Sequence, residues 1–227
     1  MDTKLLARFA IRESMGVLIT ALALFWPAGG VGWWQGWALI ALTLAWIVAT
    51  AIVILRHSPA LFAERLGPRK GTKRWDTTLM GVYGILQLAV LVVAGLDHRY
   101  SWSTRIATVS QVVALILCSL GYILAVWATA SNAFFSQMMR IQSERGHTVV
   151  SDGPYRYVRH PAYTGTILTS LTTPILLGSW WAFTLGLLNA LLMILRTALE
   201  DRDLKAELNG YSEYALRVRQ RLVPGIW

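Results

Sequence analysis

The chain has 227 residues, of which 55% are hydrophobic and only 15% charged, and it carries eleven tryptophans and a net charge of +9. Soluble domains hold closer to about a quarter charged residues, so an ordinary soluble globule is excluded. A basic balance can signal a nucleic-acid partner, but here the cations sit only between long apolar runs. That distribution points to a membrane and to no nucleic acid.

Lys4, Arg8 and Arg12 precede the first apolar run, Ser14 to Leu55, which is 42 residues without Asp, Glu, Lys or Arg. About 20 apolar residues cross about 30 Å of hydrocarbon, so this run is too long for one span. PAGGVG at 27–32 breaks it and predicts a hairpin, one helix to about Trp26 and a second from about Trp33 to Leu55. A cleaved leader is the competing account of the basic start, but the apolar run continues past any cleavage site. A loop with Arg56, Arg65, Arg69, Lys70, Lys73 and Arg74 follows. Charge-free stretches from Thr77 to Leu96 and from Ile106 to Met139 then predict single helices over 77–96 and about 105–130. Cys118, the only cysteine, lies mid-span among Leu and Ile and reads as a small packing residue. One cysteine makes neither a disulfide framework nor a thiolate metal cluster.

The last charge-free stretch, Pro161 to Leu195, has a break at Gly178-Ser179. It predicts a second hairpin of two short helices, the first kinked by Pro174. Helix signals continue to Leu208 and stop at Asn209-Gly210, and an amphipathic piece, Ser212 to Arg221, lies along the surface. The expected fold is an all-α integral membrane protein of about six transmembrane helices, two hairpins plus two single spans, with a C-terminal cytoplasmic helical tail. No repeat or linker divides it, so residues 1–227 read as one domain.

The cations also sort by side. Arg140, Arg145, Arg156 and Arg159 join the basic start and the basic 56–74 loop, as do Arg196, Arg202, Lys205, Arg217, Arg219 and Arg221. The alternate loops at 27–32 and 178–179 have none, and 97–105 has only Arg99 and Arg105. Positive residues stay on the cytoplasmic side, which places both termini there, next to anionic membrane lipids.

Polar chemistry gathers on that side in two places. The connection from Ser131 to His160 ends in GPYRYVRHPAYTG at 153–165. Ser151 to Pro154 is a turn signal, and Tyr155 and Tyr157 suit the membrane interface. Pro161 fits the first turn of a helix, so His160 falls at its N-cap, where free backbone donors favour anionic groups. The second place follows the last span: Arg196 and Glu200 are four apart and share a helix face. Arg196 near hydrocarbon either snorkels with Glu200 as partner or serves a site. Each residue has a plain account: a loop histidine at 147, a helix cap at 160, interfacial tyrosines. Anchoring alone requires neither His-Pro after Arg nor a second His thirteen residues earlier. HExxH, paired cysteines and nucleotide loops are lacking, so no metal is expected.

These residues resemble the isoprenylcysteine carboxyl methyltransferase family, in a wider group with phospholipid N-methyltransferases. The resemblance runs from Gly121 to Trp227: Trp127, Asn132 to Ser136, His147, Val149-Val150, the Arg159-His160-Pro161-x-Tyr163-x-Gly165 motif, Glu200-Asp201, Gly210-Tyr211-x-x-Tyr214 and Leu222 to Ile226. Glu200-Asp201 stands where the family usually has two glutamates. Residues 1–105 carry additional spans with no family signature, and 121–227 is the methyltransferase-like core. The resemblance implies an S-adenosylmethionine-dependent methyltransferase, most readily a carboxyl O-methyltransferase. The cofactor site would be His147, Val149, Tyr155, Arg159, His160, Pro161, Tyr163 and Glu200, with S-adenosylhomocysteine as product. Arg196 and Glu200 would be catalytic, Arg196 orienting a lipophilic or lipid acceptor at the cytoplasmic membrane face. Phospholipid N-methylation and small-thiol S-methylation remain alternatives. Among non-enzymes, a transporter predicts ionisable residues inside the spans, and a scaffold needs no His147, His160 and Glu200 together.

Overall fold

The computed structural model of the protein describes residues 3–66 and 70–227; Arg69 of the basic 56–74 loop lies outside them. Among the described residues the chain is all helical and integral to the membrane. Helices α1 (Thr3–Ala28) and α2 (Trp34–His57) form the first hairpin, followed by a single turn, α3 (Leu61–Glu64). Then come α4 (Arg74–Tyr100), α5 (Thr108–Ser131), α6 (Pro161–Leu177), α7 (Trp180–Glu207) and the short α8 (Tyr211–Arg217). Five of these, α1, α2, α4, α5 and α7, are long and apolar enough to cross a membrane. Helix α6 has 17 residues and pairs with α7 through Gly178, whose φ of +81° closes α6 in a left-handed turn.

The second hairpin differs from the expected pair of short helices. Helix α7 runs 28 residues without interruption, through Arg196 and Glu200 to Glu207. Its interior N–H and C=O groups pair within the helix, so the acquisition of charge after Leu195 does not end it. Large side chains such as Ile85, Val109, Ile116 and Leu191 point outward, because in lipid an apolar exterior carries no penalty while every backbone polar group must be satisfied within the fold.

Small residues bring the site-bearing helices together. A Cβ added at Gly165 of α6 would stand 2.4 Å from the Gly121 carbonyl oxygen of α5, and one at Gly186 of α7 would stand 2.4 Å from the Ser170 carbonyl oxygen of α6. Such close approach is how helices associate where lipid removes the hydrophobic drive between them. At the end holding the short interhelix turns, Asp97 accepts from the Ser103 amide at 2.7 Å and from the Ser103 and Ser179 hydroxyls. At the other end lie the start of α4, the exit of α5, the entry of α6, the exit of α7 and α8. The described cations of the 56–74 loop, the 131–160 connection and the tail gather there too.

Candidate cofactor and acceptor site

The 131–160 connection folds into a wall because it supplies its own partners. Asn132 Oδ1 accepts from the Phe134 amide at 2.8 Å, and buried Gln142 donates its Nε2 to the Phe134 carbonyl at 2.7 Å. Arg145 Nη2 donates to the Ala133 carbonyl at 2.9 Å. A turn at Gly153–Arg156 then delivers the chain to α6, and the Tyr214 hydroxyl of α8 donates to the Tyr155 carbonyl at 2.7 Å. These segments, with the ends of α6 and α7, enclose a pocket of about 710 Å³ including its open mouth.

His147, Val149, Tyr155, Arg159, His160, Tyr163 and Glu200 all line this pocket, drawn from a stretch of more than fifty residues of sequence. Pro161 and Arg196 are buried behind the lining. His160 is the N-cap of α6. Its Nδ1 stands 3.8 Å from Glu200 Oε1, and its ring lies parallel to Tyr163, centroids 5.5 Å apart. The Tyr163 hydroxyl donates to Glu200 Oε2 at 2.6 Å. His160 Nε2 lies 3.3 Å from the Tyr211 hydroxyl, which itself donates to Asp201 at 3.1 Å. The tyrosine oxygen therefore accepts from His160, which assigns a proton to Nε2 and leaves Nδ1 on the side of Glu200.

His147 also carries its proton on Nε2. Its Nδ1 accepts the Gln142 amide at 3.3 Å, and its ring stacks on Phe134 at 4.6 Å. Burial, then the guanidiniums of Arg145 and Arg140, lower its pKa from 6.5 to about 4. It is therefore neutral at physiological pH with a donor on Nε2. Tyr155 is buried rather than anchored at the interface, its hydroxyl pKa raised first by burial, whereas Tyr157 is exposed.

The acids and arginines divide differently from their order in sequence. Glu200 faces the pocket. Asp201, 1% exposed, accepts from Arg159 at 2.6 and 3.1 Å and from Arg221 Nε at 3.0 Å, and Lys205 Nζ is 3.1 Å away. Arg159 also donates Nη1 to the Val218 and Arg219 carbonyls, both at 2.7 Å. Its guanidinium thus ties the tail to α7. The free backbone donors expected at the start of α6 are mostly engaged: the Arg159 and His160 amides bond the Gln220 and Arg221 carbonyls at 3.0 and 2.9 Å, and those of Tyr163 and Thr164 bond the His160 carbonyl.

Arg196 is not paired with Glu200. It is 4% exposed and held by Asp76, which is fully buried, through Nε at 2.7 Å and Nη2 at 3.1 Å. Nη2 also reaches the Gln137 carbonyl at 2.8 Å, and the guanidinium carbon lies 4.8 Å over the Tyr163 ring. Asp76 further accepts from the Met139 amide at 2.6 Å. Sequence reasoning missed Asp76. The available signal was its place as the last acid before a 20-residue charge-free stretch, together with the rule that a buried arginine needs a partner.

Residues 112–206 match the profile of the isoprenylcysteine carboxyl methyltransferase (ICMT) family. The protein-S-isoprenylcysteine O-methyltransferase of Schizosaccharomyces pombe is 36% identical over 76 residues, 33% of this chain and 32% of that relative, so the match spans about a third of its length. A probable protein-S-isoprenylcysteine O-methyltransferase of Oryza sativa subsp. indica is 25% identical over 141 residues, 59% of this chain and 70% of the relative. The uncharacterized protein YpbQ of Bacillus subtilis is 33% identical over 131 residues, 56% of this chain and 70% of the relative.

Proposed function

The chain belongs to the isoprenylcysteine carboxyl methyltransferase family, and from that premise we propose that it is a membrane methyltransferase using S-adenosylmethionine and acting on a carboxylate of a lipophilic acceptor. The observation that carries the reading is the meeting of His160 and Glu200, 3.8 Å apart, in the wall of one pocket that His147 and Tyr163 also line. The pocket sits at the basic end of the bundle, which supports a cytoplasmic placement of the site and of both termini.

The residues present fit the cofactor. Its amino-acid end needs an acceptor for an ammonium and a donor for a carboxylate. Glu200 supplies the acceptor, with His160 beside it, and neutral His147 supplies a donor at Nε2. Val149, Tyr155 and Phe134 give apolar surface for a base ring. When bound, the cofactor supplies an electrophilic methyl on a sulfonium. Everything else falls to the chain. Tyr163 holds Glu200 in place through its hydroxyl. Asp76 fixes Arg196 against the Tyr163 ring, and Arg196 Nη1, which has no hydrogen-bond partner among the described residues, is assigned to orient the acceptor. An ionised carboxylate needs no proton removed before it attacks, so no general base is required. Alignment and exclusion of water are the main contributions. Arg159, in the lining, and Pro161, behind it, set the position of His160.

Calorimetry in detergent tests this reading. Wild-type protein should bind the cofactor, and His160→Ala and Glu200→Ala should each weaken binding at least about tenfold, the loss expected for one charged or neutral hydrogen bond to a buried group. Normal binding by both variants refutes the site. Methyl-labelled cofactor given with a total lipid extract then identifies the acceptor: base-labile label supports a carboxylate, and label on a phospholipid amine or a thiol refutes it.

A further inference from the structure

Among the described residues the basic end of the bundle buries four arginines, and three are neutralised by a buried acid. Arg140 pairs with Glu64 at 3.0 Å, Arg159 with Asp201 and Arg196 with Asp76. Arg65 is the exception. It directly follows α3, is 5% exposed, and forms no ion pair among the described residues. Its Nη2 donates to Thr129 Oγ1 of α5 at 3.1 Å, while its Nε is buried with no partner. Burial, followed by the neighbouring Arg12 guanidinium, lowers its pKa to about 10, so it is still charged at neutral pH. Glu13, the acid nearest in influence, is engaged with Arg12. An unpaired buried cation with an orphaned donor is costly and is the kind of exception that calls for an anionic partner.

Its surroundings say which kind. The turn that precedes Arg65 contributes Leu61 and Phe62 to an apolar cluster with Phe9 and Ile54, against which Leu66, the next residue, is packed. The guanidinium carbon is 5.3 Å from the centre of the Phe135 ring, and Phe135 lines the pocket beside Tyr163, centroids 6.5 Å apart. One aromatic ring therefore separates an uncompensated cation from the pocket, and the turn before that cation joins an apolar cluster. We propose that Arg65 receives the negatively charged carboxylate of the lipophilic acceptor and so selects an acid over its neutral analogue. The proposal rests on the methyltransferase reading and adds to it a recognition element outside the span 112–206 that the family profile covers. Arg196 cannot contribute that net charge, because Asp76 already cancels it.

The probe is N-acetyl-S-farnesylcysteine, compared with its carboxamide by displacement of the labelled acid from detergent-purified protein. Wild type should prefer the acid by about 30-fold, as for a desolvated charge pair. Arg65→Gln should bind both within about threefold of each other, Arg65→Lys should recover part of the preference, and the KM for the acid should rise in Arg65→Gln with cofactor affinity unchanged. The melting temperature of Arg65→Gln should equal or exceed that of wild type, since a lone buried charge is removed. An acid preference that survives in Arg65→Gln, or none in wild type, overturns the proposal. So does a co-purified phospholipid that is lost in Arg65→Gln while the acid preference is kept, which would assign the cation to a lipid phosphate. Cofactor binding by wild type separates the two levels: its absence sinks the methyltransferase reading, while its presence without acid preference sinks only the role of Arg65.

Discussion

Glu200 and Asp201 are neighbours in sequence, yet their substitutions should have opposite signatures. In Asp201→Asn the fold loses a carboxylate that is 1% exposed and bonded to Arg159, Arg221 and Tyr211. Arg159, 5% exposed, would keep its bonds to the Val218 and Arg219 carbonyls but lose its counter-charge. Breaking a buried ion pair from one side costs about 3–5 kcal/mol, which for a chain of this size lowers the melting temperature by about 6–20 °C. Glu200→Gln should behave otherwise. Its side chain is 17% exposed, and its hydrogen bond from Tyr163 survives with an amide oxygen in place of the carboxylate. The melting temperature should move by less than about 3 °C, consistent with a cost below about 1 kcal/mol. Cofactor affinity should instead fall about 30- to 150-fold, the equivalent of about 2–3 kcal/mol for an ammonium left without its carboxylate. Differential scanning fluorimetry and calorimetry on the two variants read both axes. Equal thermal losses in the two, or a cofactor-binding defect confined to Asp201→Asn in otherwise stable protein, would refute this division of labour.

Two further outcomes follow from the same geometry. Gly165→Leu should cost about 1–3 kcal/mol and abolish cofactor binding, because the added side chain must displace the Gly121 backbone and carry α6, with His160 and Tyr163, away from α5; unchanged binding in a folded variant would count against that packing. His147 has a folded-state pKa near 4 against an ordinary 6.5, so as pH falls below 6.5 the unfolded chain takes up a proton that the native state refuses. Stability held in full above that value should therefore decline toward pH 4, and a pH series of melting curves should show a shallower decline for His147→Gln.

The spans were legible because apolar length and charge-free stretches translate directly into helices in lipid, and because Gly178 and the glycines of 27–32 interrupt those stretches. The pocket residues were legible through motif spacing, since His147, His160, Tyr163 and Glu200 each carry a distinct functional group at a fixed offset. Long-range pairing was not. Asp76 lies 120 residues before Arg196, and no local pattern announces the pair, so Glu200 looked like the natural partner at one helical turn. Arg159 sits inside the motif, but its bonds run to Asp201 and to carbonyls of a tail whose return path no periodicity encodes. The run of α7 beyond the membrane was legible, since helix signals continue to Leu208: a change from apolar to charged composition marks the membrane surface, and helical hydrogen bonding continues across it.

The returning tail also sets an order of assembly. The amides of Arg159 and His160 are bonded to the carbonyls of Gln220 and Arg221, so a nascent chain that has inserted every long helix but has not yet released residues 218–222 from the ribosome still lacks the strap behind its histidine. That wall of the pocket is then completed later than the synthesis of every long helix described, α7 included.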